Sequence, residues 1–120
     1  MFKKQIKVQL EFEGLHCWPN APDGVLFLRN IHRHMFHVSA QIEVHHNDRD
    51  LEFILVKKDL AKMVEESAKE WPISVSCEQM ASDIVEYLRN RYGGDRDIQV
   101  EVSEDGENGA VVTYTYVEEN

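Results

Sequence analysis

Two long alternating stretches constrain this chain more than any other feature. Ile6, Val8, Leu10 and Phe12 alternate with Lys7, Gln9, Glu11 and Glu13, the pattern of a strand with one buried and one solvated face. The second stretch runs from about Ile31 to His46. Its even positions are His32, His34, Phe36, Val38, Ala40, Ile42 and Val44, and its odd ones include Arg33, His37, Ser39, Gln41 and Glu43. Strand residues two apart share a face, so the pair His32 and His34 falls on the apolar side where that strand begins. Alternation carried past Gly14 gives His16 the same side. With the first strand running into His16 and the second leaving from His32, antiparallel pairing brings all three imidazoles to one end of a sheet. Three neutral nitrogen donors suit a dication and leave a fourth position for water or substrate, the arrangement of a catalytic rather than a structural zinc. Nickel, copper or iron would accept the same donors, and the plainer alternative is three unrelated polar residues at a sheet end.

The rest of the chain supplies the other layer. Trp18 to Gly24, W-P-N-A-P-D-G, is turn-rich, and Asn47 to Asp50 is a polar break. From Lys58 to Trp71, Leu60, Met63, Val64 and Ala68 recur at helical spacing until Pro72 stops them; Val56 belongs to the first turn or to the preceding connection. Ser76 with Gln79 three residues on forms a capping box. The helix it opens turns Met80, Ala81, Ile84, Val85 and Leu88 inward and stops at Gly93-Gly94. A third strand carries Ile98, Val100 and Val102 on one face and ends in Glu104. A fourth spans Ala110 to Val117. The order β-β-α-α-β-β predicts an α+β fold, a four-stranded antiparallel sheet with two helices packed on its apolar face.

Charge and composition narrow the function classes. The chain has 120 residues, enough for one domain with a modest core, so an elaborate pocket is expected to be shared between subunits. Its formal charge of −9 argues against a general nucleic-acid or anionic-membrane partner. Cys17 and Cys77 show no C-x-x-C spacing, which points to a reducing compartment rather than a disulfide framework. The first residues, M-F-K-K-Q-I-K-V, lack an apolar core of signal-peptide length and no later run approaches a membrane span, so a soluble, cytoplasmic protein is expected. The acidic end, V-E-E-N, reads as a solvated tail.

The pattern F-E-G-L-H, then a loop, then H-R-H-x-F-x-V resembles the 6-pyruvoyl-tetrahydropterin synthase and 6-carboxytetrahydropterin synthase family. That family has the tunnelling fold, or T-fold, and an F-x-A-x-H … H-G-H-x-[FY]-x-V signature. The resemblance continues in L-E-F-I-L-V-K (Leu51 to Lys57), in S-C-E-Q-M-A (Ser76 to Ala81) and in V-S-E-D (Val102 to Asp105). It implies zinc held by His16, His32 and His34, a pterin- or purine-like small molecule anchored by Glu104 beside Cys77 and Glu78, and a homo-oligomer, hexameric in the family. Three departures stand out. Leu28 occupies the position of the family's nucleophile-like cysteine, W-P-I-S-V replaces a longer interhelix segment carrying the catalytic Asp and His, and Arg33 replaces the glycine between the paired histidines. The resemblance thus implies the family's metal and anchor positions without its usual proton-transfer residues.

Single residues carry weaker signals. A carboxylate such as Glu104 on an apolar face is costly to bury unless paired, and at a strand end it either emerges into water or accepts two hydrogen bonds from an amidine-like N–H pair. Cys17 follows His16 and should point the other way, as a plain strand-end cysteine. Cys77 opens a helix, where the dipole favours a thiolate, although a structural role is the simpler reading. His37, His45 and His46 lie away from the inferred site and are expected at the surface or an interface. Two function classes follow: a zinc enzyme with an altered proton-transfer partner (Glu78, Asp105, Cys77 or a residue of another subunit), or a non-catalytic T-fold oligomer that keeps the metal for structure or ligand binding.

Overall fold

The computed structural model describes residues 2–118, so Glu119 and Asn120 of the expected acidic tail lie outside it. Strands β1 (Lys4–His16) and β2 (His32–Val44) form a long hairpin around an excursion that contains 3-10 turns over Asp23–Arg29. Helices α1 (Phe53–Ala68) and α2 (Cys77–Tyr92) follow, then the short hairpin of β3 (Ile98–Glu104) and β4 (Asn108–Tyr114). The four strands make one antiparallel sheet in the order β1-β2-β3-β4. The β-β-α-α-β-β order is as the alternation and helical spacing predict. The free edges are β1 and β4; β2 is interior because β3 pairs with it from Phe36↔Glu104 to Ile42↔Ile98.

One face of the sheet is buried under both helices. Phe36, Val38, Ala40 and Ile42 of β2 meet Ile98, Val100 and Val102 of β3, together with Val56, Leu60 and Val64 of α1 and Met80, Ile84 and Leu88 of α2. These positions repeat every second residue in the strands and every three or four in the helices, so each element turns one stripe to the same interior. Removing a fully buried side chain such as Leu60 or Leu88 to Ala would cost about 2–5 kcal/mol.

Helix boundaries follow local chemistry. Ser76 Oγ accepts from Gln79 N at 3.1 Å, the expected cap, and Gly93 ends α2 at a φ of +119° that L side chains rarely adopt. Helix α1 begins earlier than its spacing predicts, at Phe53 rather than Lys58, capped by the Glu52 carboxylate, which accepts from Ile54 N at 3.0 Å. Val56 therefore lies in its first turn. The run F-I-L-V masks the period because Phe53, Ile54 and Leu55 are exposed while Val56 is buried. Strand β4 is likewise shifted, starting at Asn108 and ending at Tyr114. No helix among the described residues is long and apolar enough to cross a membrane.

Candidate metal centre and its cleft

His16 and His32 are direct cross-strand partners, and Gly14 pairs with His34, so the β1–β2 ladder alone sets the three imidazoles side by side. Their ring centroids lie 4.6 to 6.1 Å apart, and one nitrogen from each falls within 4.8 Å of the others. Phe36, almost fully buried, forms the apolar wall behind them, its ring centroid 5.8 Å from His34 and 6.2 Å from His16; Phe12 stacks on it at 5.2 Å. All three predicted histidines converge.

The hydrogen-bond inventory separates inward nitrogens from outward ones. His16 Nδ1, His32 Nε2 and His34 Nε2 are buried and without a hydrogen-bond partner. The opposite nitrogens of the pair are engaged: His32 Nδ1 lies 2.7 Å from the Asn30 carbonyl and His34 Nδ1 lies 2.8 Å from Asp105 Oδ2. A ring that donates at one nitrogen presents a lone pair at the other, the form that binds a metal. Leaving buried polar nitrogens unpaired costs about 1–3 kcal/mol each, so three sharing one locality need an explanation. Neutral imidazole donors without a thiolate fit zinc, and fit copper, nickel or iron as well.

Glu104, at the end of β3, reaches the same place from the next strand. Its Oε2 stands 3.0 Å from His34 Nε2, off the hydrogen-bond direction, and its Oε1 lies 4.0 Å from Cys77 Sγ. The following residue, Asp105, has a φ of +56°, and its carboxyl is held below the ordinary aspartate range, first by the Met35 N–H and then by His34. Gly109 lets β4 close over this turn, since a Cβ there would collide with the Val102 carbonyl oxygen.

A cleft of about 500 Å³ opens beside the histidines. His16, Cys77, Glu78 and Glu104 line it, with Trp18 and Leu28 supplying apolar surface. The Trp18 loop is tied down by Trp18 N donating to the Leu28 carbonyl at 2.6 Å and by Arg29 Nε donating to the Ala21 carbonyl at 2.8 Å. The short interhelix segment adds Ser74 and Ser76, fixed against β1 by Cys17 N donating to the Ile73 carbonyl at 3.1 Å. No Lys or Arg lines the cleft among the described residues.

Every site residue expected from the sequence therefore reaches this cleft or the histidine cluster beside it, and Leu28 lies in the cleft too. Cys77 behaves as a thiol rather than a helix-start thiolate: burial, then the Glu104 and Glu78 carboxylates, push it up to about 11. The helix dipole loses to desolvation and two negative neighbours. Cys17 is buried and free, as a strand-end cysteine should be. His37 sits near Glu11 on the far face, and His45 and His46 flank Asp50 at the opposite sheet end. The acceptors on the outward nitrogens, Asn30 and Asp105, are not evident in the sequence. One is a backbone carbonyl with no sequence signal; the other lies across the sheet. No family model matches the chain, and no curated protein matches its sequence.

Proposed function

We propose that this protein is a zinc-binding, T-fold relative of the 6-pyruvoyl/6-carboxytetrahydropterin synthases that takes a pterin- or purine-like small molecule, with the family's reaction altered or lost. The observation that carries the reading is the set of three buried, unpartnered imidazole nitrogens from His16, His32 and His34 turned toward one another. A bound zinc ion would act there as a Lewis acid toward a substrate oxygen. Glu104 accepts hydrogen bonds from a planar N–H pair, which a carboxylate satisfies with both oxygens. The exposed side of Trp18 and the Leu28 side chain give a flat heterocycle apolar contact and exclude water from one side of the cleft.

The alternative, a non-catalytic T-fold oligomer, is favoured by two observations. Leu28 stands in the cleft at the position of the family's cysteine, and Cys77, the thiol that lines the cleft, is held protonated. Asp105 is already committed to His34 and to Met35 N, which leaves Glu78 as the cleft carboxylate without such a commitment. The oligomer is supported by the unpaired edges of β1 and β4 and by the exposed apolar side chains Leu15, Phe53, Ile54, Leu55 and Val111. Two free cysteines fit a cytoplasmic setting.

Elemental analysis of protein purified without a His-tag, beside a variant lacking His16, His32 and His34, tests the centre. About one zinc per chain, lost in the variant, is the expected result; a folded, never-chelated protein without metal removes it. Incubation with dihydroneopterin triphosphate then separates the two readings, because product formation excludes the binding-only one.

A further inference from the structure

Two carboxylates flank the His34 ring, Asp105 in hydrogen-bonding geometry and Glu104 close by but off the hydrogen-bond direction. Asp105 Oδ2 lies 2.8 Å from Nδ1, and Glu104 Oε2 lies 3.0 Å from Nε2. Whichever nitrogen carries the proton, only the other has a lone pair to offer. If Glu104 prevailed, His34 would donate from Nε2 and withdraw from the cluster.

The Asp105 carboxylate is better fixed for the contest. Beyond the last β2–β3 rung, Phe36↔Glu104, the Asp105 N–H donates to the Met35 carbonyl at 2.7 Å while Asp105 Oδ1 accepts from Met35 N at 2.9 Å. One carboxylate oxygen is thereby pinned by main chain, and the other faces the imidazole two residues along the same face of β2 as His32. The φ of +56° is one that aspartate, asparagine and glycine tolerate better than other residues. On the neighbouring ligand the same duty falls to a backbone carbonyl, that of Asn30, which no substitution removes.

We propose that Asp105 is a positioning residue that keeps the proton of His34 on Nδ1 and so presents Nε2 to the metal, against the pull of Glu104. The assignment rests on the metal-centre reading. It adds that the end of β3 and the turn after it carry two opposed functions in consecutive residues, Asp105 orienting a ligand and Glu104 facing the small molecule.

Asp105→Asn isolates this role. Asparagine accepts the same backbone conformation, and its Oδ1 still receives the Met35 N–H, but its amide offers N–H where the carboxylate accepted. His34 Nδ1 must then accept, which puts the ring proton on Nε2. Two readouts are needed on the tag-free full chain. Zinc affinity, measured by competition with a chromophoric chelator, should fall about 10–100-fold in Asp105→Asn. Long-range proton–nitrogen NMR of the metal-free protein should show His34 protonated at Nδ1 in the wild type and at Nε2 in the variant, a change that a merely structural defect would not produce. The thermal midpoint of metal-free protein, unchanged between the two, confirms the fold. Equal zinc affinity in the two proteins, or a wild-type His34 protonated at Nε2, overturns the assignment. A wild type that binds no zinc removes the metal centre itself, and the tautomer spectrum still decides whether Asp105 directs the ring.

Discussion

At one end of the sheet His16, His32 and His34 turn three nitrogens without hydrogen-bond partners toward a common place, whereas at the other His45 and His46 flank a carboxylate that an arginine already holds. The second cluster is spent on structure. Arg96, almost fully buried, donates to the Tyr92 carbonyl at 3.1 Å, to the Glu43 carbonyl at 3.0 Å and to Asp50 Oδ2 at 2.8 Å. Asp50 also accepts from His45 N at 2.8 Å, and His45 Nε2 lies 3.2 Å from the Asp95 carbonyl. The presence of histidines does not distinguish the two ends, since both gather imidazoles near carboxylates. What differs is unused hydrogen-bonding capacity: the first end keeps buried lone pairs in reserve, and the second closes the connection between β2 and α1.

The largest expected effect breaks the first end. His32→Ala or His34→Ala should reduce metal content from about one ion per chain to none, by elemental analysis, while metal-free unfolding stays near wild type. Full retention of metal in both variants would refute the cluster. Next comes the second end. Arg96→Met takes the guanidinium from two carbonyls and from the Asp50 carboxylate, which keeps only the His45 N–H, and should cost about 3 kcal/mol in urea denaturation with metal content unchanged. A loss of metal in that variant would mean the two ends are coupled.

Third, Glu104→Gln should weaken binding of a pterin such as neopterin by roughly tenfold to a hundredfold in calorimetric titration, the worth of about 1.5–3 kcal/mol for a hydrogen bond to a charged group. Metal content should not change, and an unaltered affinity would remove Glu104 as the anchor. The smallest effect is in acid. Arg96 first, then the His45 N–H, hold the Asp50 carboxyl down to about 2 from its ordinary 3.8. A depressed folded-state value adds stability above the unfolded value and loses it as pH falls through the folded one. Asp50 should therefore contribute above about pH 4 and lose its contribution towards pH 2. Asp50→Asn should flatten that part of the stability profile, and an identical acid limb would show that the arginine contact is screened.

How much of this was legible in the sequence differs between the same two ends. The His16, His32 and His34 face follows from period-two alternation, a local property, and pairing His16 with His32 needs only that the strands run antiparallel. Glu104 was legible as a polar residue closing an apolar stripe. The roles of Arg96 and Asp50 were not, because they stand 46 positions apart in the chain and neither interrupts a periodic pattern. Asp105 was visible as a nearby carboxylate, yet its grip on His34 spans 71 positions and depends on a left-handed turn residue. The early start of α1 was hidden by three exposed apolar residues, Phe53, Ile54 and Leu55, where the period needs polar ones.

The direct pairing of His16 with His32 has a consequence for how the chain folds. A slip of one residue between β1 and β2 would turn an imidazole to the opposite face of the sheet and bury the wrong alternating set. The hairpin closes around residues 17–31, an excursion that tolerates some misalignment while it forms. Only the correctly aligned hairpin assembles all three nitrogens, so capture of a metal ion would act as proofreading of strand alignment, rewarding the native pairing over its neighbours.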